Sequence, residues 1–300
     1  MQFNLIGPFE ITTDDGRTLA PQAPKICQML AVLAFQAREA VAVDTLVREL
    51  WGETPPRSAT KILQTHVYHA RRMLARAQEG SSKRRPLLTQ APGYRLDLAD
   101  DDIDVSCFER SVRQAQWELA EGSPEQAAEH LARAQLLWRG PVLSNVPAGG
   151  VLAGRIAHME ELRIRSLELR VETEARLGRH REFIPELRTL VNDHPLHEWF
   201  HGQLISALHR AGRRGEALQA YQNLYSILGR ELGLEPSTEL QRLQAEILNA
   251  STGDTPLELR RRTSTRSRQH LQSPYRGHLP QQADARDRPE REWDGLHPVA

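Results

Sequence analysis

Apolar and polar residues alternate at the start of the chain and change to a helical period near Pro24. Residues 3–6 and 9–12 alternate on either side of Gly7 and Pro8, which predicts short antiparallel strands joined by a turn. Leu19 allows a third strand. Three helices are then expected, from Pro24 to near Arg38, from an N-cap at Asp44 to Trp51, and from Arg57 or Ser58 onward.

The two faces of the third helix differ. One face repeats apolar residues at the spacing of a buried stripe and carries Ala59, Leu63, Val67, Ala70 and Leu74. The other face is basic and rich in hydrogen-bonding groups, and it carries Lys61, Gln64, Thr65, Tyr68, Arg71 and Arg72. We expect this helix to pack on a core with its first face and to present the second to a partner.

A hairpin is predicted after the third helix. Residues 87–89 and 94–98 alternate as strands do, and residues 90–93 between them have the composition of a turn. Strands at the start, three helices and a closing hairpin together predict a winged helix over residues 1–98.

Residues 105–250 have a helical pattern throughout. Helices are expected over residues 108–120, 125–137 and 155–177. Leu177-Gly178-Arg179-His180 recurs as Ala211-Gly212-Arg213-Arg214, a shift of 34 residues that is the period of tetratricopeptide helix pairs. We therefore predict a tetratricopeptide-like α-helical repeat over residues 99–251. Residues 252–300 are rich in Arg, Gln and Pro without any period, so we expect a disordered tail.

Composition excludes several classes of protein. The chain has 39 basic and 39 acidic residues and no apolar run near the ~20 residues of a membrane span, which excludes a transmembrane protein. Its start has no basic segment leading into an apolar stretch, so we find no export signal and expect a cytoplasmic protein. Cys27 and Cys107 form no CxxC pair, and we expect neither a disulfide scaffold nor a cysteine metal site.

The overall neutrality conceals a concentrated basic segment. Residues 57–85 contain eight basic residues and one acidic residue. A basic helix followed by a hairpin suits DNA, because a helix fits the major groove and a turn reaches the neighbouring minor groove. Gln64, Thr65 and either Arg71 or Arg72 suit base edges or phosphates. A solvated helix face is the alternative, although such faces normally mix charge signs.

A short motif suggests a competing function. Residues 197–201 read His-Glu-Trp-Phe-His, and on a helix such an HExxH motif places two imidazoles and a glutamate as in zinc peptidases. The extended peptidase motif needs Gly and His at positions where Leu204 and Ala207 stand. A helical repeat also supplies no obvious third ligand. We therefore favour histidines on a helix surface and expect no enzyme, no cofactor and no bound metal.

Motifs along the chain resemble those of the Streptomyces antibiotic regulatory proteins, which are pathway-specific activators of secondary-metabolite gene clusters. In the first half these motifs are Phe3-Asn4-Leu5-Ile6-Gly7-Pro8-Phe9-Glu10, Pro24-Lys25, Leu50-Trp51-Gly52 with Pro55-Pro56, residues 63–74 and Ala91-Pro92-Gly93-Tyr94. In the second half they are Leu137-Trp138-Arg139-Gly140-Pro141, residues 177–180, His194-Pro195-Leu196, residues 216–221 and Glu231-Leu232-Gly233-Leu234-Glu235-Pro236. The resemblance covers about residues 2–250 and leaves the tail outside.

The resemblance implies a mainly α fold with a small β component. An N-terminal winged helix-turn-helix of the response-regulator type would precede a tetratricopeptide-like bacterial transcriptional activator domain. It further implies binding to promoter DNA with direct repeats near the −35 element, a homo-oligomer on that DNA, and contact with the RNA polymerase holoenzyme including its sigma factor.

The same resemblance assigns roles by position. Residues 63–74 would form the recognition helix and residues 90–94 the wing. The expected DNA contacts are Lys61, Gln64, Thr65, Tyr68, Arg71 and Arg72 on the helix, with Arg84, Arg85, Gln90 and Tyr94 in the wing and its flank.

Two residues depart from the family pattern, and two other functions stay open. Gln90 stands where the family commonly has a basic residue, which removes the arginine that would enter the minor groove. His197 stands where Arg is usual, which accounts for the HExxH motif. A repressor would share every DNA contact named above. A helical-repeat adaptor would bind proteins through residues 105–250 and leave DNA alone.

Overall fold

The structure, a computed structural model, describes residues 1–19, 21, 23–77 and 86–249. These residues are mainly α-helical and include two small β-sheets. The predicted mainly α fold with a small β component is confirmed. The expected tail over residues 252–300 and the expected DNA contacts Arg84 and Arg85 lie outside the described residues.

A three-stranded antiparallel sheet opens the chain, as the alternation predicts. Its strands are β1 (Gln2–Asn4), β2 (Glu10–Thr12) and β3 (Thr18–Leu19), in the order β1-β2-β3. Phe3 pairs with Ile11 and both are fully buried, whereas the residues beside them are half-buried. The alternation therefore marks one face of the sheet on the core and one face towards solvent.

Three helices and a short strand follow the sheet. They are α1 (Pro24–Phe35), β4 (Val41–Ala42), α2 (Val43–Trp51) and α3 (Ala59–Ala77). Asp44, predicted as the N-cap of α2, lies instead in the first turn of that helix, because β4 leads directly into it and Ala42 becomes the N-cap. In the first turn the Asp44 carboxylate complements the partial positive charge of the helix N-terminus.

The predicted hairpin is present and has a third strand at its edge. It consists of β5 (Leu87–Gln90) and β6 (Gly93–Leu96), and β4 pairs with β6 to give the order β4-β6-β5. A Cβ atom at Gly93 would lie 2.0 Å from the carbonyl oxygen of Val41. Only glycine permits this approach, which holds the hairpin against the residues that lead into α2.

A short 3-10 helix (Asp100–Asp102) and seven α-helices follow the hairpin in the described part of the chain. The α-helices are α4 (Asp104–Ala120), α5 (Pro124–Leu136), α6 (Gly150–Arg176), α7 (Ile184–Asp193), α8 (Glu198–Arg210), α9 (Arg214–Glu231) and α10 (Thr238–Asn249). The helix predicted from residue 155 begins at Gly150, since Glu49 of α2 accepts hydrogen bonds from amides in its first turn. A partner so distant in sequence leaves no local signal.

The repeated Gly-Arg motif forms the same turn at two places. Gly178 follows α6 with φ +74° and Gly212 follows α8 with φ +78°, the left-handed conformation that glycine adopts at helix ends. The next amide reaches back over the helix end in both turns. Arg179 N donates to Glu174 O at 3.0 Å, and Arg213 N donates to Leu208 O at 2.9 Å. The repeat in sequence is therefore a repeat of helix, turn and helix.

Two hydrophobic cores lie along the described chain. The first collects side chains from β1 through α5 and from α6 as far as Leu169. The second begins at Val171 and collects those of α7, α8, α9 and α10. The winged helix thus shares its core with α4, α5 and the first part of α6, and α6 passes from one core into the other.

Candidate nucleic-acid interface

The two faces of α3 have the environments that its period predicts. The apolar stripe is buried, and its members are Ala59, Leu63, Val67, Ala70 and Leu74. On the opposite face Lys61, Gln64, Thr65, Tyr68 and Arg72 are exposed, and Tyr68 keeps 59% of its surface in solvent. The helix is therefore fixed by one face and leaves a polar face free for a partner.

The charge of α3 is of one sign. The helix contains four basic residues and no acidic residue over its 19 positions. A helix surface without acidic side chains attracts phosphates and has no internal ion pairs that binding would have to break.

Arg71 connects the helix to the hairpin. Its Nε donates to the carbonyl oxygen of Leu87 at 3.0 Å, and its Nη2 donates to Oγ1 of Thr89 at 2.8 Å. Its guanidinium carbon also lies 6.0 Å from the centre of the Tyr94 ring. Arg71 is half-buried, so these contacts hold α3 and β5 together as one surface.

Arg72 has a different environment from its neighbour. It is exposed, and no described residue forms a hydrogen bond or an ion pair with its guanidinium group. Gln64 is similarly exposed, whereas Thr65 uses its hydroxyl proton to donate to Lys61 O at 3.1 Å. Thr65 therefore keeps only acceptor capacity for a ligand.

The residues predicted for the wing are divided between surface and core. Gln90 is exposed at the end of β5, and Ala91 and Pro92 are exposed beside it. Tyr94 is only 7% exposed, because it lies on the inward side of β6 against the first core. Its ring is placed to support Arg71 rather than to reach a ligand.

Further exposed residues extend the same surface. Arg76 lies one helical turn beyond Arg72, and Arg57 lies just before α3. His69 is exposed and meets Tyr68 edge to face, with ring centres 5.4 Å apart. Arg57 and Arg76 belong to the basic segment at residues 57–85, so the concentration of charge was a usable sequence signal for them. No sequence signal indicated His69.

His66 belongs to the support of the helix rather than to its free face. Its ring stacks on Trp51 of α2, with centres 6.3 Å apart and planes 19° from parallel. Burial lowers the pKa of His66, and the nearby His69 and Lys25 lower it further. A neutral imidazole at this position suits a contact between helices.

The HExxH residues are engaged in packing. His201 is 1% exposed, and its Nε2 lies 3.0 Å from the carbonyl oxygen of Pro195. Burial lowers the pKa of His201. Glu198 accepts a hydrogen bond from Ser237 N at 2.7 Å, and His197 Nε2 lies 3.6 Å from a carboxylate oxygen of Glu168. The interpretation of these histidines as surface residues is wrong for His201, which is buried.

Clustered metal ligands or long apolar helices would indicate other functions. No group of three or more His, Cys, Asp or Glu side chains that could hold a metal ion occurs within residues 1–19, 21, 23–77 and 86–249. Within that same part of the chain, every helix is too short or too polar to cross a membrane.

Comparison with known proteins relates the chain to transcriptional regulators. Residues 19–96 match the family described as "Transcriptional regulatory protein, C terminal", and residues 103–248 match the family described as "Bacterial transcriptional activator domain". Regulatory protein DnrI of Streptomyces peucetius is 40% identical over 257 residues, which cover 84% of this chain and 94% of DnrI. Transcriptional regulator RedD of Streptomyces coelicolor is 34% identical over 83% of this chain and 70% of RedD.

A solved structure extends the comparison to the fold. Mycobacterium tuberculosis EmbR, in complex with a low-affinity phosphopeptide, matches with a TM-score of 0.76 and 32% identity. The match covers 83% of this chain and 65% of the EmbR chain.

Proposed function

Because the chain belongs to the Streptomyces antibiotic regulatory protein family of transcriptional activators, we propose that it activates a secondary-metabolite gene cluster by binding direct repeats in promoter DNA. The repeats lie near the −35 element, and the bound protein recruits the RNA polymerase holoenzyme through its sigma factor. Residues 1–98 supply the DNA contacts. Residues 99–251 contact the polymerase and a second protomer.

The exposed, acid-free face of α3 is the observation that carries this proposal. A helix of this kind fits the major groove of B-DNA, and its basic side chains neutralise phosphates on either side. The apolar stripe on the opposite face and the contacts of Arg71 fix its direction. The helix is thus held rigidly before DNA arrives, which reduces the ordering cost of binding.

Individual side chains of α3 then take separate parts. Gln64 is exposed and has both donors and an acceptor, which suits bidentate recognition of adenine. Arg72 has its guanidinium group free for guanine or for phosphate, and Lys61 and Arg76 contact phosphates.

The hairpin makes a weaker contribution than the helix. Gln90 places an amide, not a positive charge, at the exposed end of β5. An amide hydrogen-bonds to sugar or phosphate oxygens but releases no counterion, so it adds little to the salt dependence of binding.

The first experiment uses the full chain and DNA that it selects. Purified protein is incubated with a library of randomised duplexes, bound DNA is enriched over several rounds, and the enriched sequence is footprinted. We expect protection over paired repeats in direct orientation, with affinity for unrelated DNA of equal length lower by about 10³-fold or more. Affinity measured against salt concentration should fall linearly on a log–log scale.

Two outcomes would redirect the proposal. Equal and weak binding to selected and unrelated DNA would make the basic face a generic phosphate patch, and a helical-repeat adaptor would then be the better description. Selective binding that lowers transcription in a purified polymerase assay would make the protein a repressor. Increased transcript from a template that carries the selected repeats upstream of the −35 element supports activation.

A further inference from the structure

Two buried carboxylates join the winged helix to the helical part of the chain. Glu49 lies on α2 and is 3% exposed, and Asp104 is the first residue of α4 and is 2% exposed. Each accepts hydrogen bonds from backbone amides about a hundred positions away in sequence. Neither lies on the exposed face of α3.

Glu49 caps the start of α6 from another helix. Its Oε1 accepts from Gly149 N at 2.7 Å, and its Oε2 accepts from Val151 N at 2.7 Å. Leu152 N lies 3.4 Å from Oε1. The first amides of a helix have no partner within the helix and carry partial positive charge, so a carboxylate at this place satisfies both needs.

The backbone at this contact leaves no room for a side chain. A Cβ atom at Gly149 would lie 2.5 Å from the carbonyl oxygen of Glu49 and 2.6 Å from its carboxyl carbon. The start of α6 therefore approaches the end of α2 at a distance that only glycine permits at position 149.

Asp104 makes a similar contact with the roles exchanged: here the carboxylate lies on α4 and the amide donors lie in the winged helix. Its carboxylate accepts from Leu5 N and from Ile6 N, both at 2.8 Å, just after β1. Arg139 Nη2 lies 3.8 Å from Oδ2. Burial raises the pKa of Asp104, while the two amides and the arginine oppose that rise. Removing such partners from a buried carboxylate is costly, so the contact resists rearrangement.

Glu49 also belongs to the helix-turn-helix. Its main-chain carbonyl accepts from Gln28 Nε2 of α1 at 2.8 Å, and α2 packs on α3. The chain of contacts runs from α6 through Glu49 and α2 to the helix that would enter the groove.

We infer that Glu49 and Asp104 are positioning residues, which fix the direction of α3 relative to the helical part and thereby restrict the spacing at which two protomers bind paired repeats. The inference rests on the proposed binding to direct repeats. DNA turns once in about 10.5 base pairs, so a change of half a turn moves the second protomer to the opposite face of the duplex. If the winged helix and the helical part are rigidly joined, a protomer displaced by half a turn loses its contact with the neighbouring protomer. If the two parts can move relative to each other, the protomer keeps that contact.

The test compares spacings with the full chain. The probes are a single selected repeat, and repeat pairs at the selected spacing, at that spacing plus about 5 base pairs, and plus about 10 base pairs. Wild-type protein should prefer the selected pair over the half-turn pair by about tenfold, a usual size for coupling between sites.

Glu49→Gln and Asp104→Asn keep the volume of each side chain but place amide donors against backbone donors. We expect both variants to bind the single repeat within about twofold of wild type and to reduce the tenfold spacing preference to about threefold or less. Glu39→Gln removes an equal charge from an exposed side chain and should retain the wild-type preference. A loss of stability alone would not change the dependence on spacing in protein that circular dichroism shows to be folded.

Val151→Pro supplies a milder variant should Glu49→Gln fail to fold. It removes one amide donor on the α6 side, and proline is tolerated in the first turn of a helix. Folded variants that keep the full wild-type spacing preference would overturn the inference. Wild-type protein that binds all three pairs equally would overturn it too, while leaving the proposed function intact. Wild-type protein that selects no DNA would overturn both.

Discussion

Arg71 and Arg72 are neighbours in α3, but their guanidinium groups have different surroundings. Arg71 donates to Leu87 and Thr89 of β5, so its charge is committed to the hairpin. Arg72 is exposed and is bonded to none of the described residues. The charge available to DNA from this pair is therefore mainly that of Arg72.

Arg72→Ala should weaken binding to the selected DNA and reduce the log–log salt slope by about 0.9, because one phosphate contact and its released counterion are lost. The free energy of unfolding should stay within about 0.5 kcal/mol of wild type, since the side chain is exposed. Titrations between about 50 and 200 mM salt measure the slope, and urea unfolding measures the stability.

Arg71→Ala is the matched variant and should show the opposite pattern. Two hydrogen bonds at a half-buried site are lost, which should lower the free energy of unfolding by about 1 kcal/mol. The salt slope should change less than it does for Arg72→Ala. Equal losses of slope in the two variants would contradict the separation of their roles.

At the scale of elements, local patterns predict the helices well and the short strands less well. The stripe from Ala59 to Leu74 fixes both the presence and the buried face of α3. β4 has two residues and no period, and it exists because Gly93 allows β6 to approach it. The early start of α6 likewise depends on Glu49, which no pattern near residue 150 reveals.

In the candidate interface too, some features follow from local sequence patterns and others depend on distant contacts. The exposed face of α3 could be predicted because helical period alone separates it from the core. The burial of Tyr94 could also be predicted from the sequence. Tyr94, Leu96 and Leu98 occupy alternate positions along β6 and beyond, and all three are buried. The link from Arg71 to β5 could not be predicted, because it depends on how the hairpin packs against α3.

Gly178 and Gly154 give a prediction for the helical elements. Gly178 has φ +74° after α6 and Gly154 lies within α6, and a Cβ atom at either would meet nothing within 4 Å. Gly178→Ala should therefore destabilise the protein by about 1 kcal/mol through backbone strain alone. Gly154→Ala should stabilise it by about 0.5–1 kcal/mol, because alanine loses less backbone entropy in a helix. Urea unfolding of the two variants should shift in opposite directions, and a shared direction would argue against the turn geometry.

At the scale of the whole molecule, the winged helix is completed by residues far along the chain. Leu143 N donates to Leu5 O at 3.0 Å, Ser144 N donates to Gly7 O at 3.3 Å, and the side chain of Asn145 pairs with the backbone of Phe9. The first core continues through this contact into α4 and α5. The proposed boundary at residue 98 therefore falls within a shared core.

A fragment of residues 1–98 should consequently be much less stable than one of residues 1–253. Phe3, Leu5, Ile6 and Phe9 are 0% exposed in the full chain, and removal of α4, α5 and the segment 139–145 uncovers part of their surface. Full exposure of such side chains costs about 1.5–3 kcal/mol each, and whole domains are stable by only about 5–15 kcal/mol. Amide hydrogen exchange at Phe3 and Ile11, which pair between β1 and β2, should therefore be fast in the short fragment and slow in the long one. Equal protection of these amides in both fragments would mean that residues 1–98 fold independently, and that α4 and the segment 139–145 only cover a sheet that is already stable.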